Sequence, residues 1–312
     1  MSCVAASRQA VVALSLSERR RSFTALTLPT IVAFAAKVGA AYHLVASLSH
    51  PSLAPHQGSA ALNPRFLKLP VLEYFLARYS RVLYVDDDVI FSPGTPDLFA
   101  LVPCAALGVV VEHHQPPGWH ALHLRNACAL YGSCEPPRGG SKSEIWNSGL
   151  LLLTAAPHAA SFSRWRAANL TCRVLCDQLY LNAVSLRDQL PLTDLGPSFN
   201  YVGSELRRAM TAPIGRERGP EELARRRAGL RAACVLHLTR KVPKPVTAHW
   251  LIRRSLVARD VLQCEVAHAR WPEARGWRDR LLVALPPPPP GKLAAQLCGG
   301  KGEPCELQAW VG

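Results

Sequence analysis

Residues 81–94 read Arg-Val-Leu-Tyr-Val-Asp-Asp-Asp-Val-Ile-Phe-Ser-Pro-Gly, an apolar run that stops at three adjacent carboxylates and then resumes. Arg81 to Val85 is short, apolar and bounded by charge, the pattern of a strand buried on both faces of a parallel sheet. Three neighbouring Asp residues repel one another, so their burial needs a counter-charge. In an open α/β sheet, ligands bind beyond the carboxyl ends of the strands. Strand alternation places Asp86 and Asp88 on one side and Asp87 on the other. Two carboxylates on one side make a hard-oxygen site for Mg2+ or Mn2+, and both ions favour a diphosphate as a further ligand. The plainer alternative is a solvated acidic turn. The apolar residues on both sides of the triplet weigh against it.

The rest of the chain supplies a scaffold for such a strand. Residues 10–16 read as a buried strand, 18–38 as a helix ended by Gly39, and 42–46 as a further strand. Phe66, Leu69, Leu72, Phe75 and Leu76 recur at helical spacing, which predicts an amphipathic helix over 65–78. Residues 107–111 and 149–154 read as two more buried parallel strands, and 234–238 as a last core strand. Strands alternating with helices predict an α/β fold with one mostly parallel, Rossmann-like sheet and helices on both faces. Residues 113–142, with Pro, Gly, His and two Cys, read as a long loop. Residues 216–231 form an Arg-dominated helical stretch. Beyond about residue 255 the pattern weakens, and Pro286 to Pro290 is a polyproline run. The expected organisation is a folded domain over 1–255 and a flexible extension over 256–312.

Charge narrows the partner. The 312 residues carry 36 Lys and Arg against 22 Asp and Glu, a formal charge of +14, which suits an anionic partner. Aromatics are 7% and no recognition motif interleaves with the basic residues, so nucleic acid is not expected. The ten cysteines include no CxxC pair, which argues against a zinc ribbon. Cys128 with Cys134, and Cys298 with Cys305, could each close a small disulfide loop, or the thiols could be free. Asn169-Leu170-Thr171 is a glycosylation sequon that matters only on the secretory route. Residues 1–20 lack a signal-peptide pattern, and Ile31 to Leu48 carries Lys37, Gly39 and His43, a poor membrane span. If the start is truncated, the expected location is the Golgi or secretory lumen, and otherwise the cytoplasm.

The segment Leu83-Tyr84-Val85-Asp86-Asp87-Asp88-Val89-Ile90 resembles the DxD motif of the family 8 glycosyltransferases, the retaining GT-A enzymes that include glycogenin and galactinol synthase. Further motifs follow in the family's order. Phe66-Leu67-Lys68-Leu69 resembles the K-L motif on the preceding helix. Trp146-Asn147-Ser148-Gly149-Leu150 resembles F-N-S/A-G-V, with Trp in place of Phe. Asp177-Gln178-Leu-Tyr-Leu181-Asn182 resembles D-Q-x-x-L-N, and Asn200-bearing 195–201 resembles the W/Y-N segment. Val235 to Pro245 is similar to V-H-F-x-G-x-x-K-P-W, with Arg240 in place of Gly, one residue inserted, and Val246 where the family has Trp.

The resemblance implies a GT-A fold, a UDP-sugar donor and a carbohydrate or other hydroxyl acceptor. It implies Asp86, Asp88 and His237 as ligands of a divalent cation, with Mn2+ favoured over Mg2+ by the imidazole. Lys68, Asp87, Asn147, Gly149 and Lys244 are then the donor-binding candidates, with Lys244, or else Lys241, at the departing diphosphate. Asp177 would bind sugar hydroxyls and Gln178 would lie near the reacting carbon. Asp177 also stands where it could cap a helix. No Asp or Glu presents itself as a covalent nucleophile. Competing readings are a GT-A enzyme of an inverting family, a catalytically inactive scaffold and a basic polyanion-binding protein.

Overall fold

The computed structural model of the chain describes residues 8–17, 21–56, 66–131, 144–168, 170, 175–202 and 232–238. These fall into two compact units. The first lies within Met1–Ser17, Ala35–Asp86 and Asp97–Pro197, and the second within Glu18–Phe34, Asp87–Pro96 and Ser198–Gly312. The boundary falls inside the acidic triplet, after Asp86.

The first unit is built on a six-stranded sheet. Its strands are β1 (Gln9–Leu14), β2 (Ala41–Val45), β3 (Arg81–Asp86), β5 (Leu107–Val111), β6 (Trp146–Thr154) and β7 (Leu192–Asp194), with β4 reserved for the second unit. Their spatial order is β2-β1-β3-β6-β5-β7. β1 pairs parallel with β2 and β3, and β5 parallel with β7, while β6 runs antiparallel to both β3 and β5. The sheet is thus mostly parallel, as expected.

Alternation sorts the strand residues onto two faces. Ala10, Val12, Val82, Tyr84, Leu151 and Leu153 share a core with Leu69, Leu72 and Phe75 of α2 (Lys68–Leu76) and Tyr180 and Val184 of α6 (Cys176–Arg187). Val11, Leu83, Leu150 and Leu152, on the other face, are equally buried. There α3 (Leu98–Leu101) and Val102 approach so closely that a Cβ on Gly108 would lie 2.8 Å from Val102 Cγ2 and 3.0 Å from Leu152 Cβ. The guanidinium of Arg81 donates to the carbonyls of Phe99 and Val102 and ties this helix to β3. Each fully buried Leu of β6 contributes about 1.5–3 kcal/mol.

The second unit has a three-stranded sheet of β4 (Val89–Phe91), β8 (Tyr201–Val202) and β9 (Val235–His237), in the order β4-β9-β8. The segment 234–238 therefore pairs in this smaller sheet and not in the large one. Part of α1 (Arg21–Lys37), up to Phe34, belongs here. Thr27 donates its hydroxyl to the Asp87 carbonyl at 2.6 Å, and Thr30 Oγ1 accepts from the Phe91 N–H at 3.1 Å. Phe34 stacks on Phe91 at 4.3 Å.

Several expectations need correction. The stretch 113–142 is not all loop, because Pro117–Tyr131 forms α4. Pro117 is its first residue, where the missing N–H costs nothing, and His120, Leu124 and Ala127 are buried at helical spacing. Read as composition, Pro, Gly and His hid that stripe. The 149–154 segment is a longer strand, β6, and is antiparallel. A strand buried on both faces is a continuous apolar run whichever way it points, so its direction is not readable. Cys104, Cys128, Cys176 and Cys234 are disulfide-bonded, so these thiols are not free. No helix among the described residues is long and apolar enough to cross a membrane. Lys244, Lys241, Arg240, the 216–231 stretch, the polyproline run and Cys134, Cys298 and Cys305 lie outside the described residues.

Candidate active site

The site begins at the carboxyl end of β3. Asp86 is the strand's last residue, and Asp87 and Asp88 form the turn into β4. Asp86 and Asp88 are thus brought together by a tight turn and not by strand alternation. Asp86, Asp88 and His237 each offer one ligand atom, all within 4.8 Å of one another, so the cluster could hold a metal ion. Asp87 is 3% exposed and is not part of this cluster; its carbonyl is held by Thr27.

His237 is prepared for such an ion. Its Nδ1 lies 3.0 Å from Oδ1 of Asn200, and its Nε2 lies 3.0 Å from Asp88 Oδ1. An amide oxygen on Nδ1 selects the tautomer with the proton there and leaves the Nε2 lone pair facing the carboxylate. A cation between Nε2 and the carboxylate would be bound by both. Parallel pairing of β8 with β9 sets Tyr201 opposite Leu236, next to Asn200 and His237.

In the first unit, Lys68 is the hub. At the start of α2 it is buried, and its Nζ lies 2.7 Å from Asp177 Oδ2 and 3.2 Å from Asp86 Oδ1. It also donates to the carbonyl and hydroxyl oxygens of Ser148, at 2.7 and 3.1 Å. Burial alone would lower the ammonium's pKa; Asp177 and Asp86 outweigh it and raise the pKa above its ordinary value. Burial likewise pushes the Asp177 carboxyl up, but Lys68 and the Ser148 hydroxyl pull it below the usual range. Tyr84 donates its hydroxyl to Asp86 Oδ1 at 3.1 Å.

Asp177 does not cap α6. The cap position is Leu175, in a left-handed conformation at φ 51° with no side-chain cap bond, and Asp177 sits in the first turn. Such a conformation is strained for a branched side chain, and strain of this kind collects at functional sites. Here it turns the chain into α6 beside the disulfide-bonded Cys176.

Two adjacent pairs link α6 to β6. Ser148 donates its hydroxyl to Asp177 Oδ2 at 2.9 Å. One residue along each element, Asn147 and Gln178 donate their amide N–H groups to the same atom, Glu112 Oε1, at 2.7 and 3.3 Å. Asn147 Oδ1 accepts the Gly149 N–H at 2.8 Å. Asn182 fastens the two elements: it accepts from the Trp146 N–H and donates to the Trp146 carbonyl, at 3.1 and 3.0 Å. Asn182 is therefore a structural clasp.

Sequence reasoning missed Glu112, Asn200 as a partner of His237, and Thr27. Glu112 had a signal: it follows an apolar strand directly, the position that drew attention to Asp86. Asp86, Lys68, Asn147, Ser148, Asp177 and Gln178 are joined by the contacts above.

The protein is a mixed α/β chain with a carboxylate–imidazole cluster at the end of a buried strand. No protein-family model matches it, and no curated protein matches it by sequence. Solved structures to which it is similar include glycosyltransferases. One is the galactosyltransferase LgtC in complex with donor and acceptor sugar analogues, at 15% identity and a TM-score of 0.47, covering 86% of this chain and 99% of that one. Another is a glycosyltransferase involved in glycosylation of the major capsid of PBCV-1, at 10% identity and a TM-score of 0.45, covering 77% of this chain and 96% of that one.

Proposed function

We propose that this chain is a glycosyltransferase that moves a hexosyl unit from a UDP-sugar to a hydroxyl acceptor with retention of configuration, using Mn2+. The observation that carries the reading is the Asp86–Asp88–His237 cluster, with Asn200 orienting the imidazole. Two carboxylates and one imidazole suit Mn2+ better than an all-oxygen ion. A cation held there would supply Lewis acidity, stabilising the charge that gathers on the departing diphosphate.

The chain's own residues do the rest. Lys68 holds Asp86 and Asp177 in place and keeps Asp177 ionised. Asp177 and Asn147 receive sugar hydroxyls, Gly149 lets the donor approach the backbone, and Gln178 lies toward the reacting carbon. Asp87 and Lys68 contribute to holding the donor, and Lys244 would neutralise the leaving group. The disulfide-bonded cysteines support an oxidising compartment, the secretory lumen.

Titration of UDP into the protein with Mn2+, and again with excess chelator, tests the binding half. A screen of UDP-sugars for Mn2+-dependent hydrolysis tests the chemistry without an acceptor. Chelator-independent UDP binding, or no hydrolysis of any UDP-sugar, refutes the reading.

A further inference from the structure

Glu112 was not among the candidates, yet two candidate side chains converge on it. It ends the apolar run of β5 and is 8% exposed. Its backbone N–H donates to the Ile145 carbonyl at 3.0 Å, so the main chain there is fixed. Oε1 receives the amide N–H of Asn147 at 2.7 Å and that of Gln178 at 3.3 Å. Oε2 lies 3.2 Å from Nε2 of His114. Both oxygens are engaged.

We infer that Glu112 is a positioning residue: its carboxylate captures the NH2 groups of Asn147 and Gln178 and thereby dictates where their amide oxygens point. A carboxylate only accepts hydrogen bonds, so each amide must turn its NH2 to Glu112. Each planar amide then sends its oxygen to the opposite side. For Asn147 that oxygen is taken by the Gly149 N–H. For Gln178 no described residue donates to Oε1, which stays available to a ligand. Without the carboxylate, the Gln178 amide could rotate by half a turn and offer a donor in place of an acceptor at little cost, whereas the Gly149 N–H still holds the Asn147 oxygen. Glu112 thus converts an ambiguous side chain into a directed acceptor at the donor sugar. The role rests on the glycosyltransferase reading for its consequence, but the orientation itself stands without it.

Glu112→Gln is the informative variant. It keeps the shape but adds an NH2, so it no longer excludes the flipped amides. With the UDP-sugar that the wild type hydrolyses, we expect kcat to fall about 10- to 100-fold, the scale of losing one oriented polar contact in the transition state. UDP affinity with Mn2+ and the donor KM should change less than about threefold, because the nucleotide is not touched. The double variant Glu112→Gln with Gln178→Ala should be no slower than Gln178→Ala alone, since Glu112 acts through Gln178. Glu112→Asp should recover part of the rate. Multiplying losses in the double variant, an equal loss of UDP affinity, or a glycosyl adduct on Glu112 in mass spectra would each overturn the positioning role.

Side-chain amide resonances separate this from the broader reading. The NH2 signals of Asn147 and Gln178, assigned by their disappearance in Asn147→Asp and Gln178→Glu, should lie downfield of free amides in the ligand-free protein. They should move in Glu112→Gln while backbone signals away from residues 112, 147 and 178 stay. Free-amide positions in the wild type would refute the clamp, whatever the enzyme turns over.

Discussion

Replacing Lys68 with Met tests the centre of the network without using any ligand. Met has similar length and no charge, so the change removes the ammonium and leaves most of the packing. Asp177 and Asp86, at 2.7 and 3.2 Å, then lose their shared cation. Breaking a buried ion pair by removing one partner costs about 3–5 kcal/mol. The Asp177 and Asp86 side chains keep 20% and 30% of their exposure, so water recovers part of that. A loss of about 2–4 kcal/mol at neutral pH is expected, the discount following from that partial solvation.

The pH dependence gives a second signature. In the wild type Asp177 has a depressed pKa, so its contribution is present above the ordinary carboxylate value and is lost as pH falls through the folded value. The raised pKa of Lys68 adds stability that is present below its ordinary value and is lost as pH rises through the folded one. In Lys68→Met, burial is left as the main influence on Asp177 and raises its pKa. Acidification from neutral pH should then relieve the variant while it weakens the wild-type pair, so the two stability curves converge. Urea denaturation followed by circular dichroism at a series of pH values, without added metal, measures this. A loss under about 0.5 kcal/mol at neutral pH, the range of an ordinary surface substitution, with parallel curves, would refute the view of Lys68 as the buried hub.

Three further outcomes are expected. Asp86→Asn and Asp88→Asn should each abolish Mn2+-dependent UDP binding in calorimetry while Asp87→Asn, outside the cluster, retains most of it; equal loss in all three would remove the metal assignment. His158 is fully buried, accepts the Thr154 N–H at Nδ1, and is pushed down to about 4, chiefly by burial. Its contribution is therefore complete above its ordinary pKa and fades as pH falls toward 4, by about 3 kcal/mol in total, and His158→Gln should flatten that part of the acid-stability profile. Gly108→Ala should cost about 1–3 kcal/mol in denaturation midpoints, because the new methyl meets Leu152 Cβ, which cannot move without its strand; an unchanged midpoint would show that Val102 and β6 yield more easily than the packing implies.

Much of this protein is written locally. The apolar run 81–85 closed by carboxylates, the helical stripe Phe66–Leu76 and the order of the short motifs are properties of neighbouring residues. Periodicity and charge therefore indicate the α/β class and the strand end that carries Asp86 and Asp88, while Lys68, Asp177 and Gln178 draw interest through the motifs they share with the family 8 glycosyltransferases. What no local pattern contains is which groups from distant segments share a hydrogen bond. Only the packing of α2, α6 and β6 shows that Lys68 spans two carboxylates, and that Asn147 and Gln178 meet on Glu112. The direction of β6 was equally hidden, since a strand buried on both faces presents the same apolar run either way. Helix α4 was hidden for the opposite reason: its buried stripe of His120, Leu124 and Ala127 is thin, and becomes decisive only once α6 is there to pack against. A side chain's chemistry is encoded in its own residue, but its partner, and with it the pKa, the amide orientation and the tautomer, is settled by contacts across the fold.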